Sequence, residues 1–502
     1  MCHRLLALAL LWGVSAKDAT PSFGIQMDAG STGTRLYIYD WKPRESDVDV
    51  GGGAEPLAHD TSKPKPNQIA FSIKVNPGLS SFGTDEDLMP AEAGSSLEPL
   101  FAFARSTLEA SGCDATCQAT VPVFLGATAG MRMLDVNVAE DIMKSVQGYI
   151  RESTGFRFDD NAWARIISGE EEGGFGWLAV NWLLGSWQAG ATPGNSVGAL
   201  DLGGASTQMS FLPAESVLAS YFDVSVNDLS KGIYTHSYLY FGRDQALELQ
   251  AAALVAAAVD DAATVNPCFP TGSVDTSAQQ LPGSSDVDAC TASCAVILAA
   301  PPGEACLNAD GTRCAVRGEY QPALRDSRFF GLSSFVYTWQ FLNVSSTASL
   351  SVVSAAAAYV CGLDSDELIA YNAELPVPED DAFLSGFCFS AVYAVQLLTA
   401  YGFPAEDTPL SVIAEVNGTE VGWAYGAMID NANRLEWLVS APKDVCKDVG
   451  GTVSVTTFYV AVGALATALL ATVAVAVVVV RRKPDASRDL KAEPYYAMPD
   501  EA

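Results

Sequence analysis

Apolar residues recur along this chain in three patterns, and each predicts a different kind of element. Alternation with a period of two marks strands. Gly24-Ile25-Gln26-Met27 leads into a polar, glycine-bearing turn, and Arg35-Leu36-Tyr37-Ile38-Tyr39 leads out of it. Val197-Gly198-Ala199-Leu200 and Gln208-Met209-Ser210-Phe211 bracket a second turn of the same kind, and Val121-Pro122-Val123-Phe124-Leu125 is a buried-strand run. Helical spacing begins at Phe175 and continues through Trp177, Val180, Leu183 and Leu184, which puts Glu170-Glu171-Glu172 at a helix start. Two segments are apolar without any period. Leu5 to Trp12, after His3-Arg4 and before Val14-Ser15-Ala16, reads as the core of a signal peptide over residues 1–16; an uncleaved anchor needs a longer run. Phe458 to Val480 is uncharged and would span roughly 34 Å as a helix, enough to cross a bilayer.

The basic cluster Arg481-Arg482-Lys483 places residues 481–502 in the cytosol. A buried core helix is the alternative for 458–480, but such a helix rarely lacks any polar face. The chain thus reads as a single-pass type I membrane protein with nearly all its mass extracellular or lumenal. Tyr495-Tyr496-Ala497-Met498 has the form of a sorting signal, so Golgi, endosomal or vacuolar stations stand beside the cell surface, the first choice.

The two strand-bounded turns share a phrase. Asp28-Ala29-Gly30-Ser31-Thr32-Gly33-Thr34 and Asp201-Leu202-Gly203-Gly204-Ala205-Ser206-Thr207 each carry a carboxylate, a glycine two places on and a threonine six places on. Glycines and small hydroxyl residues let backbone N–H groups approach an anion, and the carboxylate beside them suits a divalent cation. Two such turns facing each other would grip a cation-bound polyphosphate from both sides.

Composition narrows the chemistry. A net charge of −31 argues against nucleic acid or anionic lipid as partner, although acidic surfaces are also simply common on secreted proteins. Only His3, His59 and His236 occur, and neither a Gly-x-Ser-x-Gly elbow nor a GxxxxGK[ST] loop is present. Histidine-based nucleophile activation, a histidine-ligated zinc and P-loop chemistry all lose their parts. Carboxylate, hydroxyl and backbone chemistry around Ca²⁺ or Mg²⁺ remains. Ten cysteines stay once Cys2 leaves with the signal peptide, an even number that suits disulfides outside the cytosol. Cys113-x3-Cys117 and Cys290-x3-Cys294 read as disulfide-forming cysteines rather than zinc ligands; sequence leaves their pairing open, and the short segment between Cys361 and Cys388 suggests that pair. Asn343-Val344-Ser345 and Asn417-Gly418-Thr419 are glycosylation sequons.

Taken in order, the motifs resemble the apyrase conserved regions of the nucleoside triphosphate diphosphohydrolases, the ecto-apyrase and guanosine-diphosphatase family, in its membrane-bound ecto-enzyme branch. The first region matches Asp28 to Arg35, the second Gly126-Ala127-Thr128-Ala129-Gly130-Met131-Arg132, the third Ile166 to Gly173 with Trp177 and Asn181, the fourth Ala199 to Gln208, and a weaker fifth Val421 to Met428. Tyr425 stands where leucine is usual in the fifth, and Glu170-Glu171 adds acid where glutamine often precedes the catalytic pair.

The resemblance implies two RNase H-like α/β domains of the actin/Hsp70/sugar-kinase type around a cleft, plus the C-terminal transmembrane helix. It implies Glu172 as general base, Ser206 and Gln208 as residues placing the attacking water, and Asp28 and Asp201 as metal holders through water. Ser31, Thr32, Gly33, Thr128, Gly204, Ala205 and Thr207 match phosphate-lining positions, and Tyr337 with Tyr401 or Phe403 the nucleobase position. Aromatics at such spacings are also common core residues. The expected activity is divalent-cation-dependent hydrolysis of nucleoside tri- and diphosphates; a kinase or ATPase of the same fold and a non-hydrolysing nucleotide receptor are the rivals. Domain I is expected over 22–162 completed by 419–445, and domain II over 163–418, with 271–302 as a disulfide-pinned surface insertion. An oligomer is compatible with one membrane span.

Overall fold

A computed structural model describes residues 23–40, 55–56, 73–187, 193–226, 229–258, 264–301, 314–325, 327–416 and 418–435. The expected signal peptide, transmembrane segment 458–480, cytosolic tail and the sequon at Asn417 lie outside the described residues.

The paired phrase proves to be a paired architecture. Phe23–Gly30 (β1) and Gly33–Asp40 (β2) form a hairpin whose turn is Ser31-Thr32. Glu55–Pro56 (β3) and Ile73–Val75 (β4) pair with β2, while Val123–Ala127 (β5) runs parallel to β1 and Ala164–Ile166 (β6) parallel to β5. In the second sheet, Val197–Leu202 (β7) and Ser206–Phe211 (β8) form the hairpin. Tyr221–Val226 (β9) and Leu229–Leu239 (β10) extend it beyond β8. Arg328–Ser333 (β11) runs parallel to β7, and Leu410–Val412 (β12) parallel to β11. The order β2-β1-β5-β6 in one sheet is therefore repeated as β8-β7-β11-β12 in the other. In both, the hairpin turn lies beside the carboxyl end of the neighbouring parallel strand, where open α/β sheets bind ligands.

Alternation along the strands decides what each face meets. Ile25, Met27, Leu36 and Ile38 are buried against Glu98–Ala110 (α1) and Val136–Ser153 (α2), which bring Leu100, Phe101, Ile142 and Val146. The opposite face of β2 carries Arg35, Tyr37 and Tyr39. The rings of Tyr37 and Tyr39 stack, and Tyr39 also meets Tyr425. The second sheet is covered by Arg243–Ala257 (α4), Val287–Leu298 (α5), Ser334–Phe341 (α6), Leu350–Cys361 (α7) and Phe387–Ala400 (α8). Its core includes Leu200, Met209, Phe211, Phe335, Trp339 and Phe389.

Corresponding helices follow the last parallel strand of each sheet. Gly169–Leu183 (α9) comes after β6, and Trp423–Arg434 (α10) comes after β12 and the small hairpin of Glu415–Val416 (β13) and Thr419–Glu420 (β14). The two cross closely. Trp177, Leu178, Val180, Met428 and Ile429 share one buried cluster with Tyr39 and Val197. At the crossing, Gly426 lies so near the chain of Phe175 that a methyl group there would overlap the Phe175 carbonyl oxygen.

Two expectations change. The segment 271–302 is not merely a surface insertion: α5 buries Cys290, Cys294, Ile297 and Leu298 in the core. Cys290 pairs with Cys268, leaving Cys294 a buried free thiol where a disulfide is expected; Cys113 pairs with Cys117, and Cys361–Cys388 forms as expected. Among the described residues, one helical stretch is long and apolar enough to cross a membrane, Asp381–Ala400, but it is 72% buried within the fold and carries the Cys361–Cys388 bridge.

Replacing Gly426 by Ala should cost about 1–3 kcal/mol, because backbone rather than a movable side chain meets the new methyl. Gly148→Ala, in α2 with nothing within 4 Å of the added carbon, should be neutral or slightly stabilising. Urea unfolding midpoints of the two variants test this; equal midpoints would contradict the tight crossing.

Candidate active site

The two hairpin turns face each other. A Cβ placed on Gly204 would lie 2.8 Å from Ser31 Oγ and 2.7 Å from Asp244 Oδ2, so the second turn comes to within side-chain contact of the first. The second turn is held from below by the start of α4: Arg243 N–H donates to the Gly203 carbonyl at 2.8 Å, and Asp244 N–H to that of Gly204 at 2.9 Å. The first is held by the strand end after β5, where Thr128 N–H donates to the Ala29 carbonyl at 3.1 Å. Lys74 of β4 reaches over the first turn, with Nζ 3.4 Å from Thr32 Oγ1.

The acidic triplet divides into separate roles at the start of α9. Ser168 and Glu171 form a capping box, each side chain bonding the other's backbone N–H, and Arg165 holds Glu171 with bonds of 2.8 and 2.6 Å. The helix-start preference thus accounts for Glu171. Glu172, one residue on, turns inward and is only 8% exposed. Its Oε2 accepts from Arg132 Nη2 at 2.9 Å and from Gln208 Nε2 at 3.2 Å. Gln208 also donates to Ser206 Oγ at 2.7 Å and to Ser237 Oγ at 3.0 Å, and Arg132 reaches Ser206 Oγ at 3.2 Å and the Ile167 carbonyl at 3.0 Å. The three expected catalytic side chains therefore form one hydrogen-bonded group beside the second turn.

Carboxylates crowd this crevice. Burial raises Glu172 to about 8, against the pull of Arg132 and with the push of Asp201 and Asp28. Burial likewise raises Asp28 to about 6, opposed by Arg35 and by a hydrogen bond from the Trp423 indole, and reinforced by Asp201. Asp201 is raised by burial and eased by a hydrogen bond from Ser333 and by Arg35. Asp28 and Asp201 repel each other while sharing Arg35, whose nearest nitrogen stands 3.9 Å from Asp28. Two hard oxygen donors short of positive charge are the donor set a Ca²⁺ or Mg²⁺ ion fits.

Not every expected side chain reaches the crevice. Ser31, Thr32 and Gly204 are open to it, while Gly33, Thr128 and Ala205 lie buried in the turns themselves. Thr207 is fully buried and its hydroxyl is spent inside, on the Asp201 carbonyl at 2.8 Å and the Tyr401 hydroxyl at 3.3 Å. Tyr401, 1% exposed, packs on Tyr238, and buried Phe403 packs on Phe329. Neither ring offers a face to a nucleobase, which corrects both expectations: β11 and the helices over it needed those rings as core. Tyr337 on α6 is 48% exposed and its phenol lies within electrostatic reach of Arg35. Trp177 and Asn181 are structural, since Asn181 stitches α9 to β7 through the Trp177 and Val197 carbonyls at 2.9 and 2.8 Å.

Sequence reasoning missed Arg132, Ser237, Ser333, Arg35 and Glu420 as contributors. Arg132 stood inside a quoted motif, and Arg35 faces Asp28 by the hairpin register alone. Ser333 carries a different kind of signal. Its φ of 58° is a left-handed conformation for a non-glycine residue, at the point where its hydroxyl holds Asp201.

The chain as a whole has relatives among known proteins. Residues 14–447 match the GDA1/CD39 (nucleoside phosphatase) family. The chain is similar to ectonucleoside triphosphate diphosphohydrolase 8 of Rattus norvegicus, 33% identical over 446 residues that cover 82% of this chain and 83% of the relative. It is 29% identical over 425 residues to probable apyrase 3 of Arabidopsis thaliana, covering 81% and 82% of the two chains. The fold is shared with a nucleoside triphosphate hydrolase from Neospora caninum, at a TM-score of 0.57 and 17% identity over 88% of this chain and 98% of that one. With that match over most of its length and paired turns closing on one carboxylate group, the chain belongs to the GDA1/CD39 family of nucleoside phosphatases and is an enzyme of that class.

Proposed function

We propose that this enzyme is an apyrase that hydrolyses the terminal phosphates of nucleoside tri- and diphosphates, with Glu172 as general base for direct attack by water. The observation that carries the reading is the Glu172–Gln208–Ser206 group, held by Arg132 where the two turns meet. A phosphate chain lying between the turns meets backbone N–H groups and the hydroxyls of Ser31 and Thr32, which stabilise charge spread over the phosphoryl oxygens. Gln208 and Ser206 orient the water, and Glu172 Oε takes its proton as the new P–O bond forms. No covalent intermediate is required.

Asp28 and Asp201 would hold Ca²⁺ or Mg²⁺ through its water shell, and the ion would supply charge neutralisation at the phosphate oxygens. Tyr337 is the nucleobase-stacking residue in this reading, since its ring has an open face. The disulfides Cys113–Cys117, Cys268–Cys290 and Cys361–Cys388 support an extracellular or lumenal setting, and Asn343, exposed beside α6, is open to glycosylation there.

Glu172→Gln should lower phosphate release by about 10²–10⁴-fold, the usual worth of a general base, while leaving nucleotide affinity nearly unchanged. Phosphate release from ATP and ADP, without an acceptor and with Ca²⁺, Mg²⁺ or EDTA, checks both base and cation. Retention of full activity by the variant would overturn the reading.

The same carboxylates set a pH dependence of stability. With folded values of about 8, 7 and 6 for Glu172, Glu420 and Asp28, all above the roughly 4 of unfolded carboxylates, their neutral forms favour the folded state. That contribution is complete at low pH and is lost as pH rises through the folded values, between about 4.5 and 8. In EDTA the melting temperature should fall across that window, Glu172→Gln should flatten the fall, and added Ca²⁺ or Mg²⁺ should offset it. Melting curves in EDTA that do not change with pH would contradict the burial of these groups.

A further inference from the structure

Two charged side chains at the crevice have no part in the hydrolysis just described. Arg35 is the cross-strand neighbour of Asp28 in the β1–β2 hairpin, with Nη1 3.9 Å from Asp28 Oδ2. That separation gives attraction without a hydrogen bond. Its side chain is 30% exposed. Two residues on, and on the same face of β2, Tyr37 donates its hydroxyl to Glu420 Oε1 at 3.3 Å. The other oxygen, Glu420 Oε2, is buried and has no hydrogen-bond partner among the described residues.

A buried carboxylate oxygen without a donor is costly, and an arginine carries more donors than one carboxylate needs. Asp28 and Glu420 both attract the Arg35 guanidinium, which hydrogen-bonds neither. This matters for the cation. When Asp28 takes up a divalent ion, a guanidinium beside it becomes repulsive and must go elsewhere; when the ion leaves, two half-buried aspartates need a countercharge.

We propose that Arg35 is a positioning residue of the cation site: it neutralises Asp28 in the cation-free enzyme and passes to Glu420 Oε2 when Asp28 helps to hold the ion. The inference rests on the cation site proposed above. It makes Glu420, in the β13–β14 hairpin of the second sheet's side, the receiving partner that keeps the displaced arginine paired. Cation binding is then coupled to a contact between β2 and β14, and competition from Arg35 keeps the affinity for the ion modest and its release easy.

A double-mutant cycle tests this on the full-length chain in detergent, with Mn²⁺ alone as the probe and free Mn²⁺ read by electron paramagnetic resonance. Arg35→Met should tighten Mn²⁺ binding at least about threefold, and Glu420→Gln should weaken it by a similar factor. In the Arg35→Met background, Glu420→Gln should have no further effect, because there is no arginine to receive. Simple long-range electrostatics gives the opposite: Glu420→Gln weakens binding equally in both backgrounds, and that result would overturn the exchange. If Arg35→Met does not fold, Arg35→Gln completes the same cycle. Failure of the wild-type chain to bind Mn²⁺ would remove the cation site itself and the exchange with it, whereas binding with additive mutations would remove only the exchange.

Discussion

The rest of the structure answers to one electrostatic constraint: Asp28, Glu172, Asp201 and Glu420 are carboxylates gathered in or beside one crevice, Glu172 buried and the others partly so. Burial pushes each of them up, and the aspartates add to the push on Glu172. Such a cluster persists only if every member has specific compensation. Arg132 and Gln208 serve Glu172, Trp423 and Arg35 serve Asp28, Ser333 serves Asp201, and Tyr37 serves Glu420. In the proposed reading a cation accompanies the phosphate chain into this acidic crevice, which reconciles the chain's net charge of −31 with an anionic substrate.

That compensation draws on both sheets. Asp28 comes from the first hairpin and its indole donor from α10, after the second sheet's last strand. Glu172 follows the first sheet's last strand, and its partner Gln208 lies in the second hairpin. The close crossing of α9 and α10 at Gly426 is therefore more than packing. It fixes the distance between groups that belong to opposite halves of the repeat, and a backbone contact fixes it more rigidly than side chains would.

Much of this was legible from local pattern. The hairpins, the buried run before Thr128, the helix beginning at the acidic triplet and the Cys361–Cys388 bridge all depend on short-range signals: alternation, glycine turns, helix-start residues and small separation. The aromatic residues were not legible in the same way. Tyr337, Tyr401 and Phe403 carry similar side chains, and only their position relative to β11 makes one an exposed ring and two of them core. The serine at 333 had no sequence signal at all, because its left-handed backbone and its bond to Asp201 exist only at the junction of β11 and α6.

By itself, then, the order of residues determined the two acidic-glycine turns, the strands that carry them and the poverty in histidine that leaves carboxylate chemistry. Those are properties of neighbours in the chain, set by backbone sterics and side-chain type. Tertiary structure alone decided which glutamate of the triplet turns inward, that Arg132 and Gln208 meet it, that Thr207 and Tyr401 spend their hydroxyls on each other, and that Arg35 feels Glu420 as well as Asp28. The physical reason is that charge and hydrogen-bond energies depend on distance and burial, and both are fixed by segments hundreds of residues apart coming to rest against the same pair of sheets.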